Sequence, residues 1–341
     1  PIPNSQQLLD ASAPVRREAL AALTMRLPFG ESITDEMIRA EPPNALVGLL
    51  LWAESKHLLP QAWLNGLLSM HSLSLVRSTF LLGTVRPTGT WYYFPLAILF
   101  KTPTATLAAM AIAIASVLFF TTDSENNVEN YTHWRWAILC LGLPASVYGF
   151  SALSSALNLG VRHVFPIYPF IFIAVALGLS RLIMNMRRTG TILVVLLMIG
   201  LASESLAAYP NYIAFFNTPS GGAAGGIRLL GDSNLDWGQD LKLLVAWREA
   251  HMDKPMWLAY FGQADPLYYG IHEHNMSGTD EDAFNTAPAG PCYYVVSATN
   301  LQFGINLSDQ TVARFFNDLL FRHTPIAILG GTIYIYDLTH R

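Results

Sequence analysis

Arg162 and His163 are the residues in this chain whose setting most plainly invites chemistry. They stand near the head of the stretch 158–169, NLGVRHVFPIYP, which puts a guanidinium and an imidazole in front of an almost wholly hydrophobic segment. Pro166 and Pro169 suit the first turn of a helix, where a backbone N–H has no partner in any case. The pair is therefore expected at the N-terminal end of a buried helix. Such an end carries free N–H groups and partial positive charge, and it favours an anion. If the helix crosses a membrane, that anion sits at the bilayer surface. A second reading of Arg162 stays open, in which its guanidinium only snorkels to lipid headgroups.

The densest polar cluster is GDSNLDWGQD, residues 231–240. Asp232, Asn234 and Asp236 alternate as they do at the opening of an EF-hand loop. The analogy fails at position six, which is Trp237 rather than Gly, and at position twelve, which is Leu243 rather than Glu. The preferred reading is a helix from 235 to about 251, capped by Asn234, with the aspartates complementing its dipole. His272, Glu273 and His274 have a strand-like ligand spacing, but no third ligand is evident, so they read as a surface turn. The glycine-rich run 220–226 lacks the Lys-Ser/Thr of a Walker loop and reads as a flexible loop. No Ser-His-Asp, Cys-His, zinc-ribbon or zincin arrangement can be assigned, and no metal site is assigned.

These residues need elements to hold them, and composition says which kind. Of 341 residues, 52% are hydrophobic and 13% are charged, against about 25% charged in an average globular protein. Mean hydropathy is +0.33. This is the composition of a membrane protein diluted by soluble parts. A net charge of −4 gives no electrostatic case for nucleic acid. Two cysteines, Cys140 and Cys292, make no disulfide framework and are expected free.

Four spans are expected, at 104–120, 136–156 with a kink near Pro144, 164–180 and 191–208. Trp91, Tyr92, Tyr93 and Phe94 form an aromatic belt before the first. Arg181, Arg187 and Arg188 make a short basic loop, which places that loop on the cytoplasmic side. Residues 1–103, the turn at 158–163 and everything after 209 then lie outside, and Lys101, Arg162 and Glu204 share the outer interface. Three ionisable groups at one depth suggest a site.

Residues 1–90 read as an extracytoplasmic helical or interfacial region punctuated by prolines. Residues 91–208 form the transmembrane region, and 209–341 a soluble α/β domain. In that domain strands are expected at 256–261 and 292–297. A helix at 308–321 is capped by Ser308, and a hairpin turns about Gly330-Gly331. The fold class is thus a mainly α polytopic membrane protein with a C-terminal α/β domain.

Several stretches together resemble a known family: 92–103 (YYFPLAILFKTP), 158–169, 208–217 (AYPNYIAFFN), 231–241 (GDSNLDWGQDL), 258–270 (LAYFGQADPLYYG) and 293–301 (YYVVSATNL). In order and character they are similar to the C-terminal half of bacterial phospholipid-carrier-dependent glycosyltransferases. These are of the glycosyltransferase 39 type, related to protein O-mannosyltransferases and aminoarabinose transferases. The resemblance runs from about residue 50 to the end, and DSNLDWGQD is its most specific part. It implies a GT-C membrane fold in a bacterial inner or plasma membrane, with the C-terminal domain extracytoplasmic. It implies a polyprenyl-phosphate sugar donor and a protein, lipid or glycan acceptor, in contact with membrane lipids. A divalent metal is required in some subgroups only. The family's general base, an acidic residue in the first extracytoplasmic loop, has no counterpart here, so the chain is expected to be the C-terminal part of a longer protein. The resemblance assigns the carrier phosphate to Arg162, with His163 and Lys101. Asp232, Asn234, Asp236, Gln239 and Glu204 are left as acceptor-side or structural groups. The alternative is a non-catalytic membrane protein whose α/β domain binds a partner or a glycan.

Overall fold

The computed structural model describes residues 12–13, 15–17, 34–75, 77–120, 128–272, 274–275 and 291–338. They fall into two compact units.

The first unit comprises residues 1–78, 87–90 and 155–158. It holds helices α1 (Asp35–Ala40), α2 (Ala45–Ser55) and α3 (Gln61–Leu75). Asn44 starts α2 by accepting the Val47 N–H at 2.9 Å. Val47, Leu50 and Ala53 of α2 pack against Leu64 and Leu68 of α3. At 11 residues α2 is only about 17 Å long, too short to cross a bilayer. Leu49, Trp52, Trp63 and Met70 remain exposed.

The second unit, residues 79–86, 91–154 and 159–341, is mixed α/β. It opens with a hairpin, β1 (Thr79–Leu81) and β2 (Thr84–Arg86), within the region 1–90 that was read as helical or interfacial. Leu82 and Gly83 turn it with positive φ at both positions, the geometry that matches strand twist. Helices α4 (Tyr93–Lys101), α5 (Thr104–Phe119), α6 (Val128–Ser154), α7 (Tyr168–Asn185) and α8 (Arg187–Ala208) follow. A 3-10 segment, Val161–Ile167, leads directly into α7.

Among the described residues, two helices are long and apolar enough to cross a membrane: Val161–Asn185, of 25 residues, and Arg187–Ala208, of 22. A third is reached only if α4 and α5, bent by 110° at their junction, count as one broken span. Among the described residues two to three candidate spans thus stand where four were expected. The difference lies at 136–156. Helix α6 has 27 residues, but its apolar part, Leu139–Ser154, is shorter than a span. Its first turns carry Glu129 and Arg135 instead.

Helices α5 and α7 run parallel. The Thr102 and Tyr168 hydroxyls meet at 2.8 Å where both begin. Further along, the Ser116 hydroxyl donates to the Gly178 carbonyl. A Cβ on Gly178 would lie 2.6 Å from that of Ala113, so only glycine lets these helices approach so closely. Helix α8 returns antiparallel, with Gly200 against Ala105 and Glu204 at the start of α5.

The remainder is a five-stranded sheet in the order β4 (His274–Asn275), β3 (Met256–Ala259), β5 (Cys292–Ser297), β7 (Ile333–Leu338), β6 (Ala327–Leu329). β3 lies parallel to β4 and β5, and the other pairs are antiparallel. All six residues of β5 are buried, as its unbroken apolar run requires of a strand covered on both faces. Tyr293 and Val295 point to one side with Leu241 and Leu244 of α10 (Leu241–Ala250). Tyr294 and Val296 point to the other, with Phe316 and Leu320 of α12 (Gln310–Phe321). The glycine run holds a short helix, α9 (Gly222–Gly226), where a loop was expected. The strands at 256 and 292 and the hairpin at Gly330-Gly331 stand where the sequence puts them. Helix α12 is capped by Asp309 rather than Ser308, through the Thr311 N–H at 2.7 Å. One apolar cluster runs from Tyr93 and Phe94 of α4 through Val161 and Val164 to Tyr334 and Tyr336 of β7.

Candidate functional site

Lys101 ends α4, and the chain turns sharply before α5 because Pro103 cannot continue the helix. The last carbonyls of α4 then need partners. Asn217 supplies them. Its amide donates to Leu99 O at 2.7 Å and Thr102 O at 2.9 Å, and its backbone N–H to Phe100 O at 3.0 Å. The Lys101 ammonium turns the other way. It donates to Ile213 O at 2.9 Å, to Asn234 O at 2.6 Å and to Phe215 O. An ammonium has three donors, and here all three are engaged by backbone carbonyls. Lys101 was expected to bind the carrier phosphate; it has no donor left and instead ties three segments together.

Asn234 is the second tie. Its side chain is 1% exposed. Oδ1 accepts the Val161 N–H at 2.9 Å, and Nδ2 donates to the Tyr93 hydroxyl at 2.8 Å and to Gly231 O at 3.1 Å. It was expected to cap a helix starting at 235. The helix begins at Leu241 instead, with Asp240 before it. Asn234 therefore holds the start of the 3-10 segment, and with it Arg162. The neighbouring Ser233 hydroxyl donates to Leu159 O. Gly160 faces Ser233 so closely, at φ +159°, that a Cβ there would collide with its hydroxyl oxygen.

Arg162 is exposed, with its guanidinium carbon 4.8 Å from the centroid of the Trp237 ring. Trp237 is itself 47% exposed. A guanidinium stacked this way keeps its edge donors free for a ligand while its face is held. The His163 ring is half-buried, and both Arg162 and Asp232 act on it electrostatically. Trp237 is the partner that sequence reasoning missed. It entered only as the residue that spoils an EF-hand, although an indole in the most specific motif was itself a signal for a cation.

Asp236 is buried and accepts from Gly238 N at 2.9 Å and Thr299 N at 3.1 Å. It does complement a helix start, but that of α11 (Ala298–Gly304), far along the chain. Burial pushes its carboxyl up to about 6, against the pull of those two N–H groups. Asp240 accepts the Thr332 hydroxyl at 2.6 Å, and burial raises its carboxyl as well. Gln239 lies on the surface, bonded to its own loop at Trp237 N and Leu235 O. Among the described residues no group of three His, Cys, Asp or Glu side chains could hold a metal. Glu273 and the side chain of His274 lie outside the described residues.

Glu204, near the end of α8, accepts the Ala105 N–H at 3.2 Å and so complements the start of α5. The bonds at Thr102–Tyr168 and Ala105–Glu204 bring Lys101, Arg162 and Glu204 to one end of the candidate spans. Further along the same helices an apolar groove of about 360 Å³ lies between α5 and α7, lined by Met110, Ile114, Leu118, Ile171 and Val175 among others. No protein-family model, no curated protein and no solved structure matches this chain.

Proposed function

We propose that the chain belongs to a membrane glycosyltransferase that takes a sugar from a polyprenyl-phosphate carrier on the extracytoplasmic face and passes it to an acceptor there. The observation that carries this reading is Arg162. It is a permanently charged, exposed guanidinium, held over Trp237 at one end of the apolar helices, which carry an apolar groove further along their length. A carrier lipid asks for that combination. Its phosphate needs a cation at the bilayer surface, and its chain needs apolar surface along the helices below. During transfer the phosphate becomes the leaving group, and a preorganised cation stabilises the charge that develops on it. Arg does this at any accessible pH and offers two donors to two oxygens. His163 assists when protonated. Lys101 and Asn234 act at one remove, by fixing the backbone that carries Arg162.

The test is turnover of the full-length protein with polyprenyl-phosphate sugars, for wild type, Arg162→Lys and Arg162→Ala at equal amounts of folded protein. Ala is expected to cost about 2–5 kcal/mol of transition-state stabilisation. Lys should fall between, because it keeps the charge and loses the fork. If Lys and Ala both match wild type, Arg162 only anchors the helix in lipid, and the phosphate site lies elsewhere.

A further inference from the structure

A second cavity, of about 520 Å³, lies beyond the end of α8 and is separate from the groove. Its polar lining is Glu204, Asn211 and Thr218; the rest is Ala, Gly and Phe, including Gly330 and Gly331 of the β6–β7 turn. Its size is that of a small-molecule site. We propose that this cleft binds a neutral, hydroxyl-rich ligand, a sugar unit of the acceptor.

The chemistry of the walls excludes an anion. A phosphate would need a cation, and no Lys or Arg lines the cleft. The Lys101 ammonium lies behind it, bonded to the carbonyls of Ile213 and Phe215, with all its donors engaged. It offers nothing to a ligand. A carboxylate, an amide and a hydroxyl on one rim supply both acceptors and donors, which adjacent ring hydroxyls can use together. Small and aromatic surfaces opposite suit the C–H face of a ring. The Glu204 carboxylate is fixed in place by Ala105 N and by the Thr104 and Thr218 hydroxyls, so the acceptor on this wall is preorganised. The β6–β7 turn forms a wall because both its residues take positive φ, and a Cβ on Gly331 would press on Ala214 at 2.9 Å. Any side chain there would push the turn away from its opposite wall.

That the bound sugar is an acceptor rests on the transferase reading; the binding itself does not. The full chain in nanodiscs would be titrated, without donor, against methyl glycosides of neutral hexoses and N-acetylhexosamines, with choline chloride and inorganic phosphate as comparators, by saturation-transfer NMR. At least one glycoside should bind and both comparators should not. Asn211 is exposed, so Asn211→Trp fills the cleft without touching the core. It should weaken glycoside binding at least tenfold at an unchanged unfolding temperature. No glycoside binding by folded protein, binding indifferent to Asn211→Trp, or preference for choline or phosphate would each overturn the proposal. Donor turnover with no glycoside binding sinks the cleft alone. Glycoside binding with no response to polyprenyl-phosphate sugars sinks the transferase and leaves the cleft.

Discussion

At the scale of single residues, two polar side chains that look like ligand groups, Lys101 and Asn234, are bonded as ties between segments. Lys101→Met would leave the carbonyls of Ile213, Phe215 and Asn234 without their shared partner, the last two in part-buried surroundings. We expect a loss on the order of 3 kcal/mol, from about 1 kcal/mol for each bond, read as a lower unfolding temperature in detergent. Arg162→Ala, whose side chain is exposed, should leave that temperature unchanged. If Lys101→Met unfolds like wild type but loses donor binding, Lys101 is a ligand group after all. Asp236 supplies a pH signature. Its carboxyl titrates near 6 folded and near 4 unfolded, so between those values the folded chain holds more protons. Stability therefore falls as pH rises from about 4 to about 6, by up to about 3 kcal/mol, and is level beyond. Asp240, raised for the same reason, adds in the same sense. Unfolding measured from pH 4 to 7 should show this slope, and Asp236→Asn should lose most of it. A slope that survives the substitution would assign it to other groups.

At the scale of elements, the site depends on where three helices begin and end. Glycine sets the spacing between α5 and α7. Gly178→Leu would drive a side chain into Ala113 and part the helices, at a loss of about 1–3 kcal/mol for overpacking. Because the groove lies between the same helices, the variant should also weaken carrier binding, scored by the KM for a polyprenyl-phosphate sugar. An unchanged KM with lowered stability would show that the groove takes no carrier chain. The strands were easy to read. β5 is a run of six buried β-branched, aromatic and small residues, and such runs have few other uses. The start of α10 was misread because Asn234 is a good cap by type, and only the distant Val161 and Tyr93 reveal that it is engaged elsewhere.

At the scale of the whole molecule, the reading requires Arg181, Arg187 and Arg188, at the junction of α7 and α8, on one side of the membrane and the α/β part on the other. In a Cys140→Ser background, Arg188→Cys should resist a membrane-impermeant thiol reagent in intact cells, and Met252→Cys should react. Met252 is 69% exposed, and the remaining Cys292 is buried. The reverse labelling would put Arg162 on the cytoplasmic face, away from the proposed donor.

By itself the sequence determined the class of elements. Long apolar runs, a β-branched run and a Gly-Gly turn each specify their local structure, because hydrophobic period and backbone sterics act within a few residues. It also put Arg162 at a helix start, since Pro166 and Pro169 allow little else. Tertiary structure alone decided what each polar group does. Lys101 meets carbonyls more than a hundred residues away, and Asp236 complements a helix that begins 62 positions later at Ala298. A side chain's type states what it can donate or accept. Which partner takes it up follows from packing that brings distant backbone into reach, and local sequence does not encode that distance.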